Sequence, residues 1–515
     1  MDPAKIHYNY CEVLTTTPWP PNTRVLVTGA NGYVAQRLIP ELIRRGYWVR
    51  CMVRTRHTPF FLKHPRIEVV YADCLVKEQL QPVLEGIEFA YYLIHCMRAK
   101  NSDFSDLDRK AAQCFMEVAE EAGIKKVIYL GGLGETSVRL SRHLQSRMEV
   151  GEVLSKSSVP VVRLHAAIII GTGSASYELL KSLVMHNRWI PFMVEFNSLC
   201  QSIAIRDVIK YLVGIMEVRS SESRMYHIGG KEVLSYKDMI LGFGRIVDRK
   251  IRFFDVFWVP LPIKVSCRIY ASWLHLFTSV PINTISLLLD SLKTDVVCLN
   301  DDIKNILPFE PIGFETAIRR ALEREKKSQV FSHWTGVPPH TMRDLLPLCE
   351  YESANFKVEE YSIEIPMNSK NVFQLITQVG GMHGWLQGNF LWRIRGLVDR
   401  LFGGVGLQRG RRDPTCLRVG DSLDFWRVEK LDPDKELLLR GELISPGLSW
   451  LQFLLAPQSN QLTQLTLKAH FIPKPFFGQI YWFLMSKFHT YIFKGMLSHF
   501  YRKATGSRAH GAHAA

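Results

Sequence analysis

Residues 24–35 read Arg-Val-Leu-Val-Thr-Gly-Ala-Asn-Gly-Tyr-Val-Ala, and this stretch decides the fold. Val25-Leu26-Val27 is a short apolar run rich in β-formers, and a glycine-containing turn follows it. Residues 33–45 then carry a helical pattern that Gly46 closes. Strand, tight turn and helix in this order are the context in which such a turn binds a dinucleotide. Gly29 permits the turn, and Gly32 lets backbone approach a pyrophosphate resting on the helix N-terminus. Ala35 fills the third position, where only small size is needed. The candidate cofactor-binding residues of this turn are Thr28, Gly29, Asn31, Gly32, Tyr33 and Val34.

Outward from the turn the alternation repeats. WVRCMVR (48–54), IEVVYAD (67–73), FAYYLIHCM (89–97) and VIYLGG (127–132) read as strands with helical stretches between them. A helix at 142–156 leads into VPVVRLHAAIII (159–170). Strands separated by helices are βαβ units, so the pattern predicts a doubly wound α/β domain with a parallel sheet. The second strand ends at Arg54, followed by Thr55 and Arg56. No acidic residue stands there to take a ribose 2′-hydroxyl, and two guanidiniums suit a 2′-phosphate, so NADP is expected before NAD. The other reading of Arg54 is a solvated strand end. Asp73 and Cys74, at the end of the third strand, are placed beside the adenine.

The whole chain has 515 residues, 47% of them apolar and 22% charged, the balance of a folded protein. Its 64 Lys and Arg against 49 Asp and Glu leave a net charge of +15, which favours anionic partners. No nucleic-acid reader motif accompanies that charge, so nucleic acid is not expected. Ten cysteines are scattered singly, with no CxxC and no Cys/His cluster, so neither a disulfide framework nor a metal is expected. No signal-peptide pattern and no run of ~20 apolar residues is present, which makes a cytoplasmic location the default.

We divide the chain into an N-terminal extension (1–22), a Rossmann-type domain (23–325), a linker (326–355), a second domain (356–504) and a patternless, disordered tail (505–515). The second domain starts with the strand YSIEIP (361–366) and a helix. Strands at DSLDFWRVEKLD, KELLLRGELI, SWLQFLLAP and QLTQLTLKAHFIP follow, and a long helix (476–504) closes it. This order predicts an α+β helix-grip cup. Arg393, Arg395, Arg400, Arg409, Arg411 and Arg412 are either an anion site in a loop at its mouth or an ion-paired face. Trp385, Trp392, Trp426, Trp450 and Trp482 either fill a core or line an apolar cavity. The closing helix either packs across the cup or lies on a membrane surface.

The turn TGANGYVA resembles that of atypical short-chain dehydrogenases/reductases, and YADCL resembles their adenine-side acidic motif. Further motifs, among them LSRHLQSRMEVGEVL (140–154), LRVGDSLDFWRVE (417–429) and YWFLMSKFHTYIF (481–493), resemble bacterial oxidoreductases that join such a domain to a C-terminal domain of unknown function. The resemblance implies an NAD(P)-dependent oxidoreductase and names no substrate. It also exposes a departure. Where such enzymes carry Tyr-x-x-x-Lys, this helix carries His143 and Arg147, and the strand end Gly131-Gly132 has no serine. His143 and Arg147 are either an altered catalytic pair, with His as acid or base, or cofactor-supporting residues. Two functions follow: an NADP-dependent reductase acting on an apolar, lipid- or quinone-like substrate held between the domains, or a non-catalytic NAD(P)H-binding module.

Overall fold

The computed structural model describes residues 9–54, 63–94, 104–134, 142–254, 267–275, 278, 280, 282–327, 330, 332–333, 347–351, 356–381, 384–402, 404, 406–407, 411–413 and 416–506. The chain divides into two compact units, Met1–Asp344 and Leu345–Ala515.

In the first unit, strands β1 (Arg24–Thr28), β2 (Trp48–Val53), β3 (Ile67–Tyr71), β4 (Phe89–Tyr92), β5 (Lys126–Gly132) and β6 (Val161–Ala166) alternate with helices. These are α1 (Tyr33–Arg44), α2 (Lys77–Leu84), α3 (Phe104–Glu121), α4 (Arg142–Ser155), α5 (Ala175–His186) and α6 (Ile205–Glu217), and β7 (Arg224–Ile228) follows. The seven strands form one parallel sheet in the order β7-β6-β5-β4-β1-β2-β3. The strands read as continuous apolar runs because helices cover both faces. One face buries Val25, Val27 and Leu130 under α1 and α6. The other buries Leu26, Met52, Ala90 and Tyr129 under α2, α3 and α4. A third apolar cluster joins α5 to the helices Tyr236–Ile246, Cys267–His275, Ile282–Asp290 and Phe314–Lys326.

Two buried charges fix α6 against the sheet. Glu217, at its C-terminal end, accepts from Tyr47 Oη (2.7 Å), Arg45 Nε (2.9 Å) and Thr16 Oγ1 (2.5 Å). Lys126 Nζ donates to the carbonyls of Val218 (2.6 Å) and Ile215 (3.3 Å), a cation where the helix dipole is negative. Burial lowers the Lys126 ammonium to about 8. Residues 9–19 are tied into the same region, with Tyr10 and Cys11 buried and the Trp19 indole donating to the Met216 carbonyl.

The second unit carries β8 (Lys357–Ile365), β9 (Ser422–Leu423), β10 (Trp426–Asp432), β11 (Glu436–Gly441), β12 (Gly447–Ser459) and β13 (Leu462–Pro473). They form a six-stranded antiparallel sheet in the order β8-β13-β12-β11-β10-β9. Its helices are α7 (Ser369–Ile376), α8 (Asn389–Leu401) and the 29-residue α9 (Phe477–Thr505). The C-terminal half of α9 buries Ile492, Phe493, Met496, Leu497 and Phe500 in the core. DSLDFWRVEKLD is not one strand but two, broken at Asp424, whose φ is +53°. Its carboxylate accepts from the Trp385 indole (2.8 Å) and from the Gly381 amide (3.1 Å).

The arginine-rich stretch departs from the loop reading, because Arg393, Arg395 and Arg400 lie on α8. Most of its charge is spent internally. Arg412 is bidentate to Asp421 (2.8 and 2.9 Å), and Arg411 donates to the carbonyls of Thr377 and Val379. Arg409 lies outside the described residues. Trp385, Trp392, Trp426 and Trp450 are buried, and Trp482 stacks on Phe471 with ring centroids 5.4 Å apart.

The Arg427–Glu442 pair is the most enclosed ion pair of this unit's core, with side chains 2% and 0% exposed. Removing one partner strands the other charge. Glu442→Ala is expected to destabilise the second unit by about 3–5 kcal/mol, read as a fall in its denaturation midpoint.

Candidate functional site

The strand order reverses between β1 and β4, and in such sheets ligands bind beyond the strand C-termini at that switch point. The β1–α1 turn lies there. Gly29 has φ +62°, and a Cβ on it would stand 3.0 Å from the Leu93 carbonyl oxygen. The Gly32 amide donates to the Gly29 carbonyl at 2.8 Å, and Gly32 caps α1 with no side chain of its own. A Cβ on Gly32 would stand 3.0 Å from that same carbonyl. The turn therefore presents bare backbone at a helix N-terminus, the arrangement that accepts an anion.

The other residues of the turn divide by role. Thr28 is fully buried, and its Oγ1 donates to the Tyr91 carbonyl and accepts from the Leu93 amide, both at 3.0 Å. Asn31 is 6% exposed, yet neither its Oδ1 nor its Nδ2 has a hydrogen-bond partner. A buried amide left in this state costs free energy, and a phosphate-bearing group provides the missing acceptor. The residues present thus fit a dinucleotide. The Tyr33 ring lies under the Arg37 guanidinium at 4.3 Å, and Val34 packs against the core beneath α1.

At the β2–β3 edge, Arg54 Nε donates to Asp73 Oδ2 at 2.8 Å, with side chains 39% and 26% exposed. Arg54 is thus a paired strand end rather than a bare cation. Cys74 is buried under the sheet, and Arg56 lies outside the described residues.

At the other side, His143 sits in the first turn of α4, and its side chain lies outside the described residues. Arg147, one turn on, donates from Nη2 to the Leu130 carbonyl, while Tyr129 Oη donates to the Arg147 carbonyl at 2.8 Å. Side chains close on both glycines at this strand end. A Cβ on Gly131 would lie 2.7 Å from His165 Cδ2, and one on Gly132 would lie 2.7 Å from Leu144 Cδ2.

His165 was not among the residues singled out from sequence. It stands beside Gly131 on β6 and beside His227 on β7, whose ring it stacks on at 6.2 Å. It is 2% exposed, its Nε2 has no partner, and burial lowers it to about 3, so it is neutral near pH 7. His227 Nδ1 accepts from the Leu299 amide at 3.1 Å. A histidine inside the apolar run Leu164–Ile170 was the available signal.

Residues 29–157 match the family model described as NAD(P)H-binding. The first unit carries an NAD(P)H-binding domain. Residues 353–496 match a second family, described as a protein of unknown function (DUF2867). This two-domain order agrees with the resemblance to atypical short-chain dehydrogenases.

The chain is similar to photosystem II assembly factor Ycf39 of Trieres chinensis, with 23% identity over 40% of this chain and 64% of that protein. It is also similar to sterol demethylase protein B of Methylococcus capsulatus, with 26% identity over 22% of this chain and 35% of that protein. The chain thus spans less than two thirds of either relative. Among solved structures, a triphenylmethane reductase of Citrobacter sp. is similar over 58% of this chain and 99% of that one, with 14% identity and a TM-score of 0.47.

Two outcomes are expected. Gly32 has φ −70°, which any residue adopts, so Gly32→Val loads its cost onto the turn and the cofactor rather than the fold. Calorimetry should show NADPH binding lost. For His165, the unfolded chain takes up a proton below its ordinary pKa of ~6.5 while the folded protein does not until about 3. Stability therefore falls with falling pH through that window, by up to about 1.4 kcal/mol per unit. In His165→Leu the decline between pH 6.5 and 4 should be shallower, as read by denaturant unfolding.

Proposed function

We propose that the protein is an NADPH-preferring oxidoreductase acting on an apolar carbonyl-bearing or quinone-like substrate. The observation that carries this reading is the bare β1–α1 turn with the unpartnered, buried Asn31 amide beside it. The dinucleotide, when bound, supplies or accepts a hydride. The turn holds its pyrophosphate through backbone N–H groups and the helix N-terminus. Arg54 reads the 2′-phosphate, and Asp73 holds its guanidinium in place at the β2–β3 edge. Asp73 also opposes the second anion, so the preference for NADPH is tempered rather than absolute. His143 provides the proton, and Arg147 braces the end of β5 from α4.

A non-catalytic NAD(P)H-binding role is the second reading. It is favoured by the use of Arg147 on a main-chain carbonyl, since a guanidinium so engaged does not replace a catalytic lysine. Oxidation of NADPH by quinone and aldehyde panels separates the two. Turnover that is lost in His143→Ala while NADPH affinity holds supports the oxidoreductase. Tight NADPH binding with no turnover on any acceptor supports the module.

Cofactor choice is tested separately. Arg54→Ala should weaken NADPH by about 1.5 kcal/mol, roughly tenfold, and leave NADH almost unchanged. Asp73→Asn should widen the gap in favour of NADPH. Equal affinities of the unaltered protein for the two dinucleotides would remove the preference.

A further inference from the structure

Among the described residues, the second unit leaves a set of large apolar side chains exposed on two of its helices. On α8, Phe390, Ile394 and Leu397 recur at helical spacing and are exposed, Phe390 to 67%. On α9, Phe477, Ile480, Leu484, Phe488 and Tyr491 do the same, Phe477 to 71%. At 1.5 Å per residue the α9 stripe runs about 21 Å. The two helices are antiparallel neighbours. The Gly388 end of α8 meets Ile492 and Tyr491, and Arg395 Nε donates to Tyr481 Oη at 3.4 Å. The stripes thus lie on two neighbouring helices, a grouping unlike the single scattered apolar residues of an ordinary exterior.

Its charges decide what covers it. Exposed Lys474, Arg393, Lys487 and Lys494 border the stripes, and α9 carries no aspartate or glutamate in its 29 residues. Asp399 on α8 is buried and accepts from the amides of Gly406 and Ile444. Glu359, which faces α9 from β8, is engaged by His489 at 3.3 Å and by Tyr361 at 3.0 Å. Just before α9, Phe476 holds φ +63°, unusual for a bulky residue, and packs its exposed ring edge-on to Phe477 at 5.2 Å. Aromatic and aliphatic side chains ringed by cations match an anionic bilayer interface: the rings enter the headgroup region and the cations meet lipid phosphate.

We propose that this α8–α9 surface docks the protein onto anionic lipid membranes. The docking is peripheral, since among the described residues no helix is long and apolar enough to cross a bilayer. It is independent of the catalytic reading above.

The test is flotation of the full-length protein with vesicles of phosphatidylcholine alone or mixed with 30% phosphatidylglycerol. Binding to the mixed vesicles is expected, weakened by salt and at least tenfold weaker on phosphatidylcholine alone. Phe477→Ser/Ile480→Ser/Leu484→Ser and Lys487→Glu/Lys494→Glu should each lose it at least tenfold. Val194→Ser, an exposed apolar change in the first unit, should not. Circular dichroism and the denaturation midpoint of the second unit check that the variants fold. Failure of the unaltered protein to float overturns the proposal, as does undiminished binding by the folded triple variant. A dimer that the triple variant returns to monomer, with no vesicle binding, also overturns it and gives the surface to a second copy.

Discussion

Beyond their backbone pairing, β1 and β4 are joined at their C-terminal ends by a single hydroxyl. Thr28 Oγ1 bridges the Tyr91 carbonyl and the Leu93 amide, and so holds the two strands where the sheet changes direction. One residue later the chain must turn with a positive φ and with its side-chain space closed by the Leu93 carbonyl, so glycine is required. The helix that begins four residues further, at Tyr33, is thereby aimed at the crevice. Everything proposed for the cofactor depends on this close approach of two strands, because it places unfilled backbone donors at the switch point.

The second unit solves a different problem. It holds many charged groups in a small antiparallel fold and satisfies them internally: Arg427 with Glu442, Arg412 with Asp421, Asp424 with an indole and an amide. Such pairs are weak sources of stability, because desolvation offsets much of the attraction. They do fix geometry. Asp424, at positive φ, ends one strand and anchors Trp385, around which Trp392 and Trp426 cluster at 5.4 and 6.1 Å.

The parts legible in the sequence were those with local causes. The β1 run, its glycine turn and α1 follow from neighbouring residues, as do the alternating strands of the second unit and the long closing helix. What escaped depends on contacts between residues far apart. Nothing near Arg45 or Thr16 announces Glu217 as their shared acceptor. Nothing near Gly131 in sequence announces the His165 ring, which closes on it from the neighbouring strand. The crowded arginines of 393–412 read as a loop, whereas Arg393, Arg395 and Arg400 lie on α8, a helix that turns Phe390, Ile394 and Leu397 outward, opposite to the usual pattern.

The Glu217 cluster also bears on how the protein is made. α1 is made well before its cover, α6, which ends roughly 170 residues later, and the carboxylate that receives Arg45, Tyr47 and Thr16 is the last residue of that helix. Until it arrives, the apolar outer side of α1 faces solvent. A nascent chain of this kind cannot complete its first half in order of appearance, and long loops must close before the contacts that reward closure exist. The apolar side of α1 therefore stays uncovered until α6 has been made, a window in which the N-terminal half is open to non-native association.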